Sequence, residues 1–461
     1  MTPWHSIIEI KHGHSSSQEV FQTLLFGTDE IKPLSPDIEE GNIKHGIPSS
    51  QERMTSDNSD LPTTMRDVFE TSKVEEEESF TIFKVPHRLC EVNKKAYEPN
   101  VISIGPYHYG KPHLVRMEDI KKRWFEKITK KTNLGLNEFR ETMKLLEGKT
   151  RKCYEQPLPP GLEAKENFVD MMVYDGCFVV QLIRKGHLCD FWKLGLHISC
   201  DMRDDLLFLE NRLPFFVLLK LYRMIEPNPG PPRHFYKLVT SAFVFFRRDP
   251  PYVPRNTASI RHLLGLVHAT FHPSLLGTQA EIARREENFQ ISRDTIPSAT
   301  ELEDAGIHFS GVPIQNMQNQ KKGKGNMFNI TFDNNTKELK IPILKVDDST
   351  ERMFRNYMAY EQLFAWEVPN FFVDYVLFMD KLINTSKDVQ LHRKNEIIDN
   401  FLGNDEAVTQ MFNKLGDSVY YSPEDFYYKD IANQGVDFCH MGVFELQVTL
   451  GDYALKVSSC F

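Results

Sequence analysis

The segment from Met202 to Ile225, MRDDLLFLENRLPFFVLLKLYRMI, constrains the fold most, because it is the densest apolar stretch of the chain and has a proline at its centre. Pro214 has no N–H to donate within a helix, its ring crowds the carbonyl four residues earlier, and it disfavours helical geometry at the preceding residue. We therefore expect two helices on one axis, the first ending near Asn211 or Arg212. Pro214 suits the first position of the second helix. These two helices should form the centre of a helical core.

Glu210 is an unexpected residue in this segment. In a continuous first helix it would follow Leu206 by four residues and precede Leu213 by three, so the spacing places it on their apolar face. A carboxylate in such a position is costly unless it is paired or protonated. The segment therefore predicts a core that contains at least one polar group.

The composition allows a large core. With 461 residues, of which 41% are hydrophobic and 11% aromatic, the chain can form one large domain or two ordinary ones. A net charge of −9 gives no electrostatic reason to expect a nucleic-acid partner. The seven cysteines include no CxxC pair, and the first residues show no secretory signal, which together predict reduced thiols and a cytoplasmic location. No run reaches the ~18 apolar residues of a membrane-spanning helix.

Composition and periodicity divide the chain into three parts. Residues 1–79 are rich in Ser, Thr, Asp, Glu and Pro and end in the acidic run 75–78, which predicts a disordered acidic leader. Residues 80–415 should form a helical domain. From residue 416 to 461 the patterns weaken, so we treat this stretch as a divergent tail.

Apolar residues at helical spacing predict helices at several further places. These are 117–132, 137–153, 163–185, 260–271, a helix through Phe354 and Glu361, 371–383, 389–402 and 405–415. Between about residues 326 and 346 the period changes to the alternation of a β-hairpin. The predicted fold class is mainly α: a large helical globular domain with a small inserted β-hairpin, preceded by the disordered leader.

Two helix starts have the sequence of a capping box, in which a side chain at each end of the first turn accepts a backbone N–H from the other. Ser298 with Glu301 is the first, and Gly306 follows where a C-terminal glycine cap belongs. Asp348 with Glu351 is the second.

The loop GPYHYGKP after the run VISI is similar to a phosphate-binding loop, with Gly105, Gly110 and Lys111 at suitable positions. A nucleotide loop needs a Ser or Thr hydroxyl after the lysine to hold magnesium, and Pro112 supplies none. We therefore expect a structured turn rather than a nucleotide site.

Metal and thiol chemistry have weak signals. His268 with His272, and His87 with Cys90, have metal-like spacings, but neither pair has an obvious third ligand nearby. Cys177 lies within a predicted helix, where a buried, inert thiol is the usual outcome. We expect no metal and no cofactor.

Asp175, Glu210 and Glu361 are three acids predicted on the apolar faces of three different helices. If two of them converge, paired buried carboxylates with separated pKa values would suit the general acid/base hydrolysis of a glycoside, which makes an unrecognised hydrolase the alternative function. The preferred interpretation is structural: each acid bonds a helix end, an arginine such as Arg212 or Arg355, or a tyrosine, and so fixes the register of the helices.

Basic and aromatic residues occur close together in the runs 243–248 and 252–255. A solvated edge beside a core helix is the default interpretation. The alternative is a membrane-surface or partner-docking patch, because adjacent aromatic and arginine side chains suit an interface.

Five phrases carry a resemblance to a known family. In order along the chain they are VPHRLCEVNKKAYEPNVISIGPYHYG, MMVYDGCFVVQLI, DDLLFLENRLPFFVL, IPSATELEDAGIHF and FRNYMAYEQ. From about residue 80 to 415 the chain resembles the plant family called domain of unknown function 247 (DUF247), which is also the UPF0481 group.

The resemblance implies little chemistry. The family has no established catalytic residues or cofactor, its members typically have a C-terminal membrane helix, and some grass members are associated with self-incompatibility. Residues 416–461 have no apolar span of that kind. We expect a plant interaction or recognition protein that is not an enzyme, has an unknown protein partner and binds no nucleic acid.

Overall fold

Most of the regular structure is helical, as the sequence predicts. The computed structural model describes residues 81–185, 196–226, 228, 233–248, 260–271, 296–314, 326–365, 367–422 and 425–437. All of these belong to one compact unit of the chain. The expected leader at 1–79, the run at 252–255 and the end of the tail at 438–461 lie outside the described residues.

The first half of the described chain contains helices in close succession. They are α1 (His87–Asn93), α2 (Val115–Thr132), α3 (Leu136–Lys144), α4 (Glu147–Lys152), α5 (Lys165–Lys185), α6 (Leu196–Asp205), α7 (Phe215–Ile225) and α8 (Arg233–Phe245). Helix α5 contacts α2, α3, α4, α7 and α8 and is the central helix of this half. Its burial on most sides agrees with its nearly continuous apolar sequence.

Helix α2 shows why the periodicity was informative. Met117, Ile120, Trp124 and Ile128 recur every three or four residues and are all buried, so one face of the helix packs into the core. The single helix predicted at 137–153 is instead two helices, α3 and α4, separated by a turn at residues 145 and 146. The turn redirects the chain so that both short helices contact α5.

The central segment differs from the prediction. Helix α6 ends at Asp205 and not near Asn211 or Arg212, and Glu210 lies in a turn rather than on a helix. The side-chain amide of Asn211 donates to the carbonyl of Asp205 at 2.9 Å. If the helix continued past Asp205, a backbone N–H of its next turn would bond this carbonyl instead. Pro214 does stand at the start of the second helix, but as its N-cap residue, whereas the sequence predicts it at the first helical position.

The second half combines helices with two small sheets. The helices are α9 (Leu263–His268), α10 (Ala299–Asp304), α11 (Thr350–Leu363), α12 (Phe371–Leu382), α13 (Ser386–Lys394) and α14 (Asp405–Leu415). The strands are β1 (His308–Val312), β2 (Thr331–Asp333), β3 (Glu338–Pro342), β4 (Leu344–Val346) and β5 (Ile398–Asn400).

The β-hairpin predicted near 326–346 is present as the antiparallel pair β2 and β3. Strand β1 extends it by pairing with β3 in parallel, an addition that the sequence did not indicate. The helix predicted at 389–402 is wrong in its second half, because α13 ends at Lys394 and β5 follows. Glu396 has a left-handed φ of 57°, and the N–H groups of residues 396 and 397 return to the carbonyls of residues 393 and 392, which closes the helix.

The two expected capping boxes have different outcomes. Ser298 and Glu301 form the complete capping box at the start of α10, and Gly306 follows this helix with a φ of 88°. Asp348 forms no such box, because the N-cap of α11 is Ser349 and has no side-chain cap. Glu351 instead pairs with Arg355 at 2.8 Å.

Core packing continues beyond residue 415. Residues 429–437 are helical, and Tyr428 is 1% exposed with its hydroxyl donating to the carbonyl of Phe328 at 2.9 Å. Among the described residues, none of the helices is both long and apolar enough to cross a membrane.

Candidate functional site: polar groups in the core

The segment at residues 100–105, buried from residue 102 onward, pairs with neither sheet. Its N–H groups donate to side chains instead: those of Asn100, Val101 and Ile102 to the carboxylate of Asp205, at 2.7–3.0 Å. Burial raises the pKa of Asp205 to about 6, although these three N–H groups oppose the change. The Asp205 carboxylate therefore accepts N–H groups that, in a sheet, the carbonyls of a neighbouring strand would accept.

The same segment is held by two further side chains. Asn211 accepts the N–H of Ile104 at 2.6 Å and donates to the carbonyl of Ile102 at 2.9 Å. Asp175, from the middle of α5, accepts the N–H of Gly105 at 2.9 Å. Asp205, Asn211 and Asp175 thus provide the hydrogen bonds that fix this segment between α5 and the turn after α6.

Asp175 also forms a buried ion pair. Its Oδ1 lies 2.6 Å from Nζ of Lys121 on α2, and Nζ is 2.5 Å from Glu118 and from the carbonyl of Ser103. Burial raises the pKa of Asp175 to about 7, against the opposing effect of the Lys121 ammonium. Burial alone would lower the pKa of Lys121, but the two carboxylates outweigh it and raise that pKa.

The loop that resembles a phosphate-binding loop has a structural role. A Cβ at Gly105 would lie 2.4 Å from the carbonyl oxygen of Arg212, and the residue has a left-handed φ of 77°, so only glycine fits without strain. Lys111 pairs with Glu98 at 3.1 Å, and its own N–H donates to the carbonyl of His108. These groups are therefore engaged within the fold rather than directed at a phosphate.

Glu210 accepts the N–H of Val85 at 2.7 Å through Oε1. Its Oε2 lies 3.4 Å from Nε2 of His108, and the Glu210 side chain is 18% exposed. Burial raises the pKa of Glu210 and lowers the pKa of His108 to about 3. The histidine is thus neutral near pH 7, so this contact is not an ion pair.

Glu361, on α11, caps the N-terminus of α12. Its Oε1 accepts the N–H of Phe372 at 3.0 Å and its Oε2 that of Val373 at 2.9 Å, while Asn370, the N-cap residue, forms no side-chain cap. His268 Nε2 lies 2.7 Å from Oε1. Burial raises the pKa of Glu361, although these partners oppose the change.

The three candidate acids each bond a different set of partners. In the described part of the chain no hydrogen bond or ion pair joins any two of Asp175, Glu210 and Glu361. Three cavities at the described surface are also lined by other residues. Neither Arg212 nor Arg355 hydrogen-bonds any of the three acids: Arg212 contacts His262, and Arg355 bonds Glu351 and the carbonyl of Lys414.

The histidine and cysteine residues with metal-like spacing have different partners. His268 bonds Glu361, and His272 lies outside the described residues. His87 is 3.5 Å from Glu91 at the surface, whereas Cys90 contacts the carbonyl of Val85. No group of metal-binding side chains occurs among the described residues. Burial raises the pKa of Cys177, so its thiol stays protonated.

Arg212 was proposed as a partner for acids but is itself a buried cation. It is 2% exposed, its Nη1 lies 3.0 Å from both ring nitrogens of His262, and burial lowers its pKa to about 9. His262 accepts the N–H of Gly265 and so caps α9. No local pattern predicts this pair, or the role of Asp205, whose partners are about one hundred residues earlier in the chain.

These observations define a class: a mainly helical domain whose interior is fixed by side-chain hydrogen bonds to backbone groups. A family model described as DUF247, plant protein of unknown function, matches residues 82–449, and the chain belongs to this family. It is 29% identical to UPF0481 protein At3g47200 of Arabidopsis thaliana, an alignment that covers 77% of this chain and 76% of that protein.

A second relative is putative UPF0481 protein At3g02645 of Arabidopsis thaliana. It is 24% identical, over 78% of this chain and 82% of the relative. No solved structure matches the chain.

Proposed function

We propose that this chain is an interaction protein of plants and not an enzyme. The observation that supports the proposal is the way the fold uses its three candidate acids. Asp175, Glu210 and Glu361 each accept at least one backbone N–H, and each N–H belongs to a different part of the chain. A carboxylate that is needed as an acceptor for the fold is a poor proton donor or nucleophile, because protonating or moving it would break that bond.

The unknown protein partner and the cytoplasmic location are part of this proposal. The rival function is a hydrolase that uses these acids, and Glu210 is its best candidate, since its side chain is 18% exposed and burial raises its pKa. Asp175 and Glu361 are almost completely buried.

The test compares the wild-type chain with Asp175→Asn, Glu210→Gln and Glu361→Gln. We expect no turnover of a panel of 4-nitrophenyl glycosides by the wild type above a protein-free blank, and a lower melting temperature for each variant, because an amide replaces one acceptor oxygen with a donor. Turnover by the wild type that is lost in a folded Glu210→Gln variant would establish the hydrolase and refute the proposal.

A further inference from the structure

The outer face of helix α8 is basic and carries exposed apolar side chains. Residues 233–248 contain no Asp or Glu and four Lys or Arg residues, of which Arg233, Lys237 and Arg247 are exposed, in a chain with a net charge of −9. The inner face of the helix is buried against α5 and α7. A basic helix face in an acidic protein is a local charge that a partner can recognise.

The exposed residues form two adjacent rows at i, i+4 spacing. One row is Tyr236, Thr240 and Val244, of which Tyr236 is 41% and Val244 61% exposed. The other row contains Arg233 and Lys237, both exposed. Rows at this spacing are the ridges by which helices pack against each other. We call these five residues the α8 surface.

The cations of this surface are not neutralised within the part of the fold that the structure describes. Neither Arg233 nor Lys237 has an ion pair with a described acid, and Glu226, the acid that precedes the helix, bonds Arg184 instead. Of the side chains on this surface, Arg233 and Tyr236 are of the types that are enriched at protein interfaces.

Arg247 adds to the positive charge where α8 ends. The N–H of Arg247 returns to the carbonyl of Val244 and that of Arg248 to the carbonyl of Phe243, so Arg247 occupies the left-handed position that closes a helix, with a φ of 54°. Glycine is usual at this position because it has no Cβ. Here an exposed arginine occupies it, which extends the basic character of the surface.

We propose that the α8 surface binds an acidic amphipathic helix of a protein partner, one with a row of apolar side chains beside a row of carboxylates. The apolar row would pack on Tyr236, Thr240 and Val244, and the carboxylates would pair with Arg233 and Lys237. A membrane surface fits less well: a helix that lies on lipid inserts a broad apolar face, and the broad apolar face of α8 is already buried in the core.

This inference rests on the proposed interaction role and names one surface for it. The test uses the full chain and a fluorescein-labelled synthetic helix with leucines at every fourth position and glutamates in the adjacent row. A matched peptide with glutamine in place of glutamate is the first control. Vesicles of phosphatidylcholine with phosphatidylserine are the second.

Two double variants with the same change of net charge separate local recognition from general attraction. Arg233→Glu with Lys237→Glu reverses the α8 surface, and Lys122→Glu with Lys130→Glu reverses two exposed residues of α2. We expect the double variant of the α8 surface to weaken binding of the acidic peptide about tenfold or more. The double variant of α2 should change the affinity less than about threefold, because charges that are distant from the bound peptide are screened by salt. A third variant, Val244→Asp, should also weaken binding.

Circular dichroism melting of each variant establishes that it is folded. No binding of the acidic peptide, equal weakening by both double variants, or binding of vesicles in preference to the peptide would each overturn the assignment of the α8 surface. Those results leave the proposed interaction role intact, whereas glycosidase turnover by the wild type would refute that role without altering the peptide measurements.

Discussion

Nζ of Lys121 lies 2.6 Å from Oδ1 of Asp175, and neither side chain is exposed by more than 1%. The pair joins α2 to α5, and through the N–H of Gly105 it also fixes the segment at 100–105. A buried ion pair of this kind is weak evidence for high stability, but the loss of one partner leaves an uncompensated charge.

Lys121→Met should therefore lower the free energy of unfolding by about 3 kcal/mol. The double variant Lys121→Met with Asp175→Asn should be more stable than Lys121→Met alone, because no buried charge remains and the asparagine oxygen still accepts the N–H of Gly105. Urea denaturation measures both. Lys122→Met, at an exposed position on the same helix, is the control and should change the free energy by less than about 0.5 kcal/mol. A double variant less stable than Lys121→Met would contradict this account of the pair.

Glu361→Gln tests the cap that α11 provides for α12. The amide has one acceptor oxygen where the carboxylate has two, so one of the N–H groups of Phe372 and Val373 loses its partner. We expect a loss of about 2 kcal/mol in the free energy of unfolding, measured by urea denaturation. Glu303→Gln, an exposed change on α10, is the matched control. Equal effects of the two variants would show that the cap contributes nothing to stability.

Helical spacing was sufficient to place Asp175 in the core, because α5 is regular and each residue's direction follows from its position. It failed for Glu210, because the end of α6 depends on Asn211 and on backbone groups about one hundred residues earlier in the chain. Strand β5 was missed for a similar reason, since its partner β4 lies more than fifty residues away. Local sequence patterns therefore predict helices and strands. The residue at which a helix ends, which determines the position of Glu210, depends on contacts with distant parts of the chain.

Gly105→Ala tests the close approach of the segment at 100–105 to the turn after α6. The new Cβ would lie 2.4 Å from the carbonyl oxygen of Arg212, so the backbone of one segment must move. We expect a loss of about 3 kcal/mol or more in the free energy of unfolding. Gly110→Ala is a matched control, because Gly110 has a φ of 75° but no atom within 4 Å of the added Cβ, and the left-handed conformation alone should cost about 1 kcal/mol. Similar losses for both glycines would contradict the steric argument.

His392 should make stability depend on pH. Burial lowers the pKa of His392 to about 4, although the carbonyl of Asp388, which its Nδ1 contacts at 2.8 Å, opposes the change. The pKa of an unfolded histidine is about 6.5, so between these values the unfolded chain binds a proton that the folded chain does not. The contribution of His392 to the free energy of unfolding is therefore fully present above about pH 6.5 and falls as the pH is lowered towards 4, by about 1.4 kcal/mol per pH unit at its steepest.

Other buried groups titrate in the same range, so the contribution of His392 is best measured as a difference. We expect the free energy of unfolding of the wild type minus that of His392→Gln to decrease as the pH is lowered from about 7 to about 5, since the glutamine does not titrate. Urea denaturation at several pH values gives this difference. His87→Gln, at a side chain that is 87% exposed, should change the free energy by less than about 0.5 kcal/mol throughout. A difference for His392→Gln that stays constant over this range would show that burial of the neutral imidazole does not contribute to acid sensitivity.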